Sequence, residues 1–390
     1  MTEFLLHDVT RTVAPEGIRR DRAVSKRGMG DGSEAKYDFD TLFYEVIRQG
    51  TDLHIVAPRL LNFGRLVKRT RFSVGGRDIG RPKVRNFYRH SILRFANVPV
   101  GPSLTLGFPD GQTAETPIRD ARLDFLEGLD CELILSKNDD LNWIADHLRF
   151  HVATQGVEGL VFIDNGSTRH SVDDLRTALS DIGLKKVALV SMPYPFGPLN
   201  RRPRNIELYL QTAAYNLARL MFLQRAGGAL CMDVDEILVP DGTSIFDRAR
   251  ASRFGFVTFG GLNRYPDPHA EPPFRFTDHA WSTTPPKDAP DDWCIVPTGP
   301  LGSMQWRCHN LENNLLRPFQ RLKQTKFYHC LGITTGWKNA TRFRPDAPLQ
   351  KDEHAARFWE DTFGPTAKKI DPAVRRQPGR NTAVKGLTPR

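Results

Sequence analysis

Residues 229–239 read Ala229-Leu230-Cys231-Met232-Asp233-Val234-Asp235-Glu236-Ile237-Leu238-Val239, an acidic tetrapeptide between two apolar runs. The apolar flanks predict a buried strand that carries acids to its tip. Because strand side chains alternate between faces, we expect Asp233 and Asp235 on one face and Glu236 on the other. Two carboxylates on one face favour Mg²⁺ or Mn²⁺, which bind oxygen ligands and keep positions open for phosphates. A solvated acidic turn without a ligand is the alternative.

The sequence before this segment alternates between strand and helix patterns. In chain order the predicted elements are a strand at 131–135, a helix from Asp139 or Asp140 to Gly156, a strand at 160–163, a helix at 173–182, a strand at 187–190, a helix at 206–225 and the acidic strand. Strands that alternate with helices predict an α/β fold with three layers around a mostly parallel sheet.

Polar residues follow three of these strands. Asn138 follows the first strand, Asp164 and Asn165 follow the second, and the acidic pair ends the last. Ligands of parallel sheets bind outside the carboxyl ends of the strands, so we expect these residues to line one crevice. Asp164 is also a turn-forming residue type and Asn138 a capping type, and these structural roles stay open.

The whole chain divides into four predicted regions. With 390 residues, 39% of them hydrophobic, it can form one large domain and an accessory domain. Residues 1–36 are polar and predict a flexible leader, whereas 37–126 hold short apolar runs broken by glycine and predict a β-rich accessory domain. Residues 130–345 form the α/β domain, and 346–390 predict a polar, basic tail.

Targeting signals and cysteine usage point to an intracellular protein. No apolar run approaches the ~18 residues of a membrane span, and the N-terminus lacks a basic region followed by an apolar stretch. The five cysteines are odd in number and contain no C-x-x-C pair, so a disulfide framework is not expected. We expect a soluble, cytoplasmic protein that can associate with a membrane surface.

The positive charge of the chain is concentrated in residues 59–94, which we call the basic segment. The segment has one acid, Asp78, and eleven cations: Arg59, Arg65, Lys68, Arg69, Arg71, Arg77, Arg81, Lys83, Arg85, Arg89 and Arg94. Its partner could be an anionic membrane, an acidic glycan or a nucleic acid, and a solvated face without a partner is the commoner outcome. No nucleic-acid-binding motif accompanies the segment, so nucleic acid is not the expected partner.

Several of these features occur together in one order. They are Lys137-Asn138-Asp139, Trp143-Ile144 with His151, Gly156, residues 162–167, Gln211 and the acidic tetrapeptide. This order resembles the GT-A fold glycosyltransferases of the family 2-like and family 92-like group, from about residue 131 to residue 329. The chain departs from that pattern at Arg169-His170, where the family usually has an acid, and at Asp139, where it has Glu.

The resemblance implies a nucleotide-sugar donor lying across the strand ends. The implied donor-binding residues are Asn138, Asp164, Asn165 and Asp233. The implied ligands for Mn²⁺ or Mg²⁺ are Asp233, Asp235 and His329. A structural histidine is the alternative for His329.

The resemblance also implies the reaction, a metal-dependent transfer of a hexose-type sugar to a hydroxyl of a glycan or lipid-linked acceptor, with inversion, as in surface polysaccharide biosynthesis. A divalent ion is suited to this reaction because it neutralises charge that develops on the leaving nucleoside diphosphate. A carboxylate general base must activate the acceptor. Asp267, Asp278 and Glu312 lie in the irregular part of the chain, and spacing does not distinguish them; Glu312 is the predicted catalytic residue.

Two other functions use parts of the same pattern. Phosphatases of the haloacid dehalogenase type also place Asp-x-Asp after an apolar strand. They place it near the start of the fold and follow it with glycine and a hydroxyl residue, whereas Glu236-Ile237 stands here. A non-catalytic glycan- or nucleic-acid-binding protein on a glycosyltransferase scaffold is the second alternative, and the intact Asp-x-Asp argues against it.

Overall fold

The computed structural model describes residues 1–30, 32–202, 206–336, 345 and 347–363. Its strands are arranged mainly in two large sheets, one of nine strands and one of eight. Among the described residues, no helix has the length and apolar character that crossing a membrane requires.

The N-terminal part of the chain is mostly β-structure. Its elements are β1 (Glu3–Asp8), β2 (Thr12–Val13), α1 (Ser33–Lys36), β3 (Thr41–Phe43), β4 (Glu45–Gln49), β5 (Asp52–Pro58), α2 (Phe63–Arg69), β6 (Arg71–Val74), β7 (Arg77–Asp78), β8 (Lys83–Asn86), β9 (His90–Phe95), β10 (Ser103–Gly107) and β11 (Thr113–Asp120). Strands β4 to β11 form the eight-stranded sheet in the order β7-β6-β10-β11-β4-β5-β9-β8. This sheet has its own apolar core, which confirms the predicted β-rich accessory domain.

The following elements build the larger domain. They are β12 (Asp130–Ser136), α3 (Leu141–Gln155), β13 (Gly159–Asp164), α4 (Val172–Ser180), β14 (Lys186–Ser191), α5 (Tyr209–Ala218), β15 (Gly228–Cys231), β16 (Glu236–Leu238), α6 (Ile245–Ala251), β17 (Phe256–Arg264), β18 (Trp281–Thr283), β19 (Asp288–Ile295), β20 (Trp306–Arg307), β21 (Asn310–Leu311), β22 (Arg321–Cys330), β23 (Leu349–Lys351) and α7 (Glu353–Phe363).

The nine-stranded sheet has the order β1-β14-β13-β12-β15-β19-β17-β22-β16. Its first five strands are parallel, and β17 and β22 are parallel as well, so the sheet is mostly parallel, as predicted. Along β13 the side chains alternate between two cores. Leu160 and Phe162 pack with α3, α4 and α6, whereas Val161 and Ile163 pack with α5 and the accessory sheet. The three predicted layers are therefore present.

The predicted ends of α3 agree with the structure. Asp140 is the N-cap, and its carboxylate accepts the Asn142 N–H at 2.8 Å. Gly156 ends the helix in the left-handed region, at φ 82°, where a side chain would be strained. Because these signals lie within the helix and its flanks, the sequence alone locates them.

The predicted flexible leader is wrong for its first residues. Strand β1 lies parallel to β14 at the edge of the larger sheet, with Glu3 opposite Lys186 and Asp8 opposite Ser191. Phe4 and Leu5 pack against the cores on the two faces of that sheet. Strand β1 has only six residues, and its partner β14 lies far away in sequence. The polar residues around it therefore predict a loop rather than a strand.

The predicted tail also differs from the structure where it is described. Strand β23 pairs with β18, and α7 buries Trp359, whose indole N–H donates to the His279 carbonyl at 2.9 Å. The sequence of α7 contains many charged residues, which hide the apolar side chains on its buried face. The remaining predicted tail, 364–390, lies outside the described residues.

Candidate functional site

The acidic tetrapeptide forms a turn between β15 and β16. The Glu236 N–H donates to the Asp233 carbonyl at 3.1 Å, and the Asp233 N–H donates to the Glu236 carboxylate at 2.8 Å. Strand β16 pairs with β22, at the far side of the sheet from β15. Because the chain turns here, strand alternation does not hold, and the prediction that Glu236 points away from Asp235 is wrong.

Asp235, Glu236 and His329 lie together at this turn, and we call them the turn cluster. One ligand atom from each residue lies within 4.8 Å of the others. His329 Nε2 is 3.4 Å from Asp235 Oδ2, and its Nδ1 is 3.0 Å from Asn263 Oδ1. Glu236 is the register partner of His329, so the pairing of β16 with β22 brings the three side chains together.

Glu236 of the turn cluster also forms a buried carboxyl pair with Asp292 of β19. Burial, reinforced by the charges of Asp292 and the neighbouring aspartates, raises the pKa of Glu236 well above its ordinary value. Burial likewise raises the pKa of Asp292, and the charges of Asp233 and Asp235 add to that effect. Asp292 Oδ2 has no hydrogen-bond partner among the described residues. A cation would relieve this crowding of acids.

A small pocket opens at these carboxyl groups. Its lining residues are Gln211, Tyr215, Cys231, Met232, Asp233, Glu236, Asp292, Cys308 and His309. His309 Nδ1 lies 3.6 Å from Asp292 Oδ1, and 51% of the His309 side chain is exposed. Cys308 and His309 were considered from the sequence only as part of a zinc site with His329 and Cys330, which their spacing disfavours. Asp292 was not identified because it belongs to the irregular, proline-rich part of the sequence. The available signal was an acid directly before the apolar run Trp293-Cys294-Ile295.

The loops after β12 and β13 meet at the carboxyl edge of the sheet. Asn138 has a φ of 60°, in the left-handed region. Its Oδ1 accepts the N–H groups of Thr168 at 2.6 Å and Arg169 at 3.1 Å. Its own N–H donates to Ser167 Oγ at 2.7 Å. Asn138 therefore joins the loops after β12 and β13, and the crevice that also includes the acidic turn stays a prediction.

Asp164 and Asn165 have different surroundings in the second of these loops. The Asp164 carboxylate accepts the Ser167 N–H, at 3.1 and 3.2 Å to its two oxygens, and the Ser167 hydroxyl. The buried Asn165 amide donates to the carbonyls of Met192 at 2.7 Å and Tyr194 at 2.9 Å. Asp164 keeps further lone pairs for a ligand, because a carboxylate accepts about four bonds. The Asn165 side chain holds the loop instead.

Glu312, the predicted general base, lies between the β20–β21 hairpin and the accessory sheet. One carboxylate oxygen accepts the Tyr88 N–H at 3.0 Å, and the other is 3.5 Å from Arg307 Nε. Glu312 does not line the small pocket. Asp267 and Asp278 accept backbone N–H groups of His269 and Arg275 in local turns. The structure thus brings none of the three acids to the carboxyl groups of the turn cluster.

A second acid–histidine group lies inside the domain and consists of Glu132, His147 and His151, which we call the core cluster. All three side chains are fully buried, and their ligand atoms also lie within 4.8 Å of one another. Glu132 Oε1 is 2.8 Å from His147 Nε2 and 3.0 Å from His151 Nδ1. Burial alone would raise the pKa of Glu132, but the two imidazoles outweigh it and hold the value at about 2.

The proton positions in the core cluster exclude a metal at His151. The Leu238 N–H donates to His151 Nε2 at 3.2 Å, so the ring proton lies on Nδ1 and points at Glu132. An Nδ1 that carries a proton has no lone pair for a cation. Because Leu238 belongs to β16, the core cluster fastens the strand that begins with Glu236 of the turn cluster.

The turn cluster, by contrast, has a donor set that fits a divalent cation. Two carboxylates and an imidazole suit Mn²⁺ well, and the carboxylates suit Mg²⁺. Burial raises the pKa of both Glu236 and Asp292, and the charges of the neighbouring acids add to this effect, so the ionised carboxylates lack a compensating positive charge here. A bound cation would favour the ionised carboxylates and satisfy lone pairs such as that of Asp292 Oδ2.

The basic segment lies on the accessory sheet and keeps most of its charge exposed. Arg94 forms an ion pair with Asp52 at 2.6 Å. A groove of about 860 Å³ is lined on one side by Lys68, Arg69, Arg71 and Arg81 and on the other by the β10–β11 turn. The predicted basic surface is present, and its partner stays a prediction.

Comparison with known proteins shows a distant likeness in fold. No family model and no curated protein sequence matches the chain. The structure of Staphylococcus aureus TarS 1–349 in complex with UDP is 11% identical, with 61% of this chain and 74% of that chain covered and a TM-score of 0.27. The galactosyltransferase LgtC with donor and acceptor sugar analogues is 13% identical, with 43% and 57% covered and a TM-score of 0.23.

The bifunctional glycosyltransferase WbbM is also similar, at 11% identity, with 45% of this chain and 27% of that chain covered and a TM-score of 0.22. A further TarS 1–349 structure is covered over 41% of its length. The chain thus spans less than two thirds of the length of several glycosyltransferases it matches. Its own activity must be argued from the side chains of the site.

Proposed function

We infer that the chain is a metal-dependent, inverting glycosyltransferase that moves a sugar from a nucleotide diphosphate to a hydroxyl of a glycan or lipid-linked acceptor. The observation that carries this proposal is the turn cluster, where Asp235, Glu236 and His329 bring ligand atoms within 4.8 Å. The cluster belongs to the same mostly parallel sheet whose carboxyl edge carries the joined loops of Asn138 and Asp164. Surface polysaccharide biosynthesis is the proposed setting.

In this proposal the turn cluster holds Mn²⁺ or Mg²⁺, with Asp233 beside it. The ion would supply positive charge where the leaving diphosphate becomes more negative. Glu236 and Asp292 are poised for such a partner, because each has a raised pKa that a neighbouring cation would lower. Glu236 thereby joins the ligands that the sequence suggested, Asp233, Asp235 and His329.

On the donor side, Asp164 is proposed to accept hydrogen bonds from the ribose or base of the nucleotide. Its carboxylate is half-buried at the end of β13 and keeps lone pairs beyond those used by Ser167. Asn138 is proposed to position this loop, since it binds both Ser167 and Thr168. Asn165 is omitted from the donor ligands because its amide is engaged by two backbone carbonyls.

Asp292 replaces Glu312 as the proposed general base. It lines the small pocket, and a carboxylate positioned at the pocket can accept the proton of an acceptor hydroxyl. His309, 3.6 Å away and half exposed, is placed to contact the acceptor or to orient Asp292. Glu312 is held by Tyr88 and Arg307 and is better suited to fix the hairpin that carries His309.

The basic segment is proposed to bind an anionic part of the acceptor or of a membrane. Changing Arg65, Arg69, Arg71, Arg77 and Arg81 to Ser should weaken acceptor association and leave donor hydrolysis unchanged. Exposed substitutions of this kind usually alter stability by less than about 0.5 kcal/mol. Equal losses of both activities would place the segment in the catalytic site.

The experiment that tests the proposal is a thermal-shift titration with UDP and Mn²⁺, alone and together. A ligand at a hundred times its Kd stabilises the folded state by about 2.7 kcal/mol. We expect the shift with both ligands to exceed the sum of the separate shifts, and Asp235→Asn to remove the excess. Absence of a shift with any nucleoside diphosphate would refute the donor site. Binding without hydrolysis or transfer from any nucleotide sugar would favour the non-catalytic alternative.

A further inference from the structure

The loop between β21 and β22 carries three of the exposed large apolar side chains of the described residues. Leu315 is 89% exposed, Phe319 is 83% exposed and Leu316 is 36% exposed. Single exposed apolar side chains are common on protein surfaces, but three within five residues form a patch. We call residues 315–319 the apolar loop.

Hydrogen bonds fix the shape of the apolar loop, although its apolar side chains are not buried. The Asn314 amide donates to Asn310 Oδ1 at 3.0 Å and to Gln320 Oε1 at 2.7 Å, which ties the two ends of the loop together. The Leu316 N–H donates to Asn314 Oδ1 at 3.1 Å. The backbone of the loop is therefore held in one conformation, so binding a partner costs little conformational entropy.

Two arginines and two lysines lie within the apolar loop or shortly after it in sequence. Arg317 and Arg321 bind the carboxylate of Asp291 at 3.0 and 3.1 Å, so their charge is partly neutralised. Lys323 and Lys326 are exposed on β22, the strand that follows the loop. Exposed apolar side chains followed in sequence by exposed lysines fit a lipid surface with anionic headgroups, because the apolar groups enter the interface and the cations attract the headgroups.

The apolar loop is also joined to the site described above. Asp291, which both arginines bind, precedes Asp292 in β19, and Asp292 lines the small pocket. On its other side the loop follows β21 and the hairpin that carries His309. A membrane at the loop would thus bring lipid-linked acceptors near the pocket.

We propose that the apolar loop binds the surface of an anionic lipid bilayer, with Leu315 and Phe319 entering the interface and Lys323 and Lys326 contacting the headgroups. Delivery of a lipid-linked acceptor to the pocket rests on the proposed transferase function. Binding of the loop to a bilayer does not depend on that function, so an experiment can refute bilayer binding and the transferase function independently. A bilayer fits the apolar loop better than a purely anionic partner does, because the loop has exposed apolar side chains as well as cations.

The test is co-sedimentation of the full chain with vesicles of equal phosphatidylglycerol and phosphatidylcholine, and with phosphatidylcholine vesicles alone. We expect binding to the anionic vesicles. Leu315→Ser with Phe319→Ser should weaken it by about tenfold or more, since each side chain loses its apolar contact. Lys323→Ser with Lys326→Ser should weaken it by about tenfold and remove the preference for phosphatidylglycerol.

Val13→Ser with Val100→Ser is the matched control, because these valines are 45% and 92% exposed elsewhere on the surface. This control should bind as the unchanged chain does, and UDP-induced thermal shifts should be alike in all variants. No sedimentation of the unchanged chain, or equal binding of the Leu315 and Phe319 variant, would overturn the proposal. A dimer in size-exclusion chromatography that this variant abolishes would also overturn it, because the loop would then bind a second copy.

Discussion

The core cluster and the turn cluster contain the same kinds of side chain at the same spacing. Each brings carboxylate and imidazole atoms within 4.8 Å. The core cluster has one acid and two histidines, is fully buried, and holds Glu132 ionised, with a pKa of about 2. The turn cluster has two acids and one histidine beside a pocket, and there burial raises the pKa of Glu236.

Charge balance and access, rather than spacing, are the reasons why only the turn cluster is proposed to bind a ligand. In the core cluster each oxygen of Glu132 has an imidazole within hydrogen-bond distance, and His151 also accepts the Leu238 N–H. In the turn cluster the two acids outnumber the imidazole and lie close to a third carboxyl group, Asp292. The acid of the first group already meets two imidazoles, whereas a cation would stabilise the ionised acids of the second.

Glu132→Gln should have the largest effect, a loss of about 3–5 kcal/mol in the free energy of unfolding, because it breaks a buried charged network. Urea denaturation measures this loss. Glu158→Gln is the matched control: Glu158 pairs with Lys185 at 2.6 Å near the surface, and its removal should cost about 1 kcal/mol or less. If the two variants were equally stable, the core cluster would not hold the fold together.

The two clusters should respond to pH in opposite directions. The pKa of Glu132 is lowered from 4.5 to about 2, so its stabilisation is complete above 4.5 and is lost as pH falls through 2, by about 3 kcal/mol. The pKa of Glu236 is raised, so its stabilisation is present at low pH and is lost as pH rises through the raised value.

Urea midpoints measured across pH, without divalent ions, check both directions. Glu132→Gln should flatten the acidic limb, and Glu236→Gln should flatten the limb at higher pH. Added Mn²⁺ should reduce the second limb only. A second limb that is the same in the unchanged chain and in Glu236→Gln would contradict the charge crowding inferred for the turn cluster.

Asp235→Asn should cause a large loss of activity and little loss of stability, whereas Glu132→Gln mainly lowers stability. We expect turnover to fall about a hundredfold or more because the side chain is a proposed metal ligand. Stability without metal should stay equal or rise, since one of the crowded acids becomes neutral. Asp173→Asn, an exposed acid on α4, is the control. An unchanged rate in metal-buffered assays would refute metal catalysis at this turn.

The regular part of the fold was predictable because its signals are local. Apolar runs located β12, β13 and β14, and Asp140 and Gly156 marked the ends of α3. The short edge strand β1 and the helix α7 were missed because each is stabilised by partners far away in sequence. The polar composition of both segments predicts flexible chain instead.

The site was only partly predictable for the same physical reason. Asp235 and His329 were selected from the sequence and lie together in the structure. A continuous strand places Glu236 on the face opposite Asp235, so the sequence does not predict it as a metal ligand. The chain turns here because β16 pairs with the distant strand β22. Asp292 was missed because β19 lies in the proline-rich part of the chain, where no local pattern points to the pocket.

The smallest predicted effect compares one histidine from each cluster. His329→Asn should weaken Mn²⁺ binding by about tenfold, a loss typical of groups around a metal site, because the carboxylates remain. His147→Asn should leave Mn²⁺ affinity unchanged in the folded chain and lower the urea midpoint instead, since His147 binds only within the core cluster among the described contacts. Calorimetric titration of Mn²⁺ into both variants measures the difference. Equal losses of affinity would mean that the core cluster transmits its geometry through β16 to the ligands of the turn cluster, and the separation between a structural and a ligand-binding group would no longer hold.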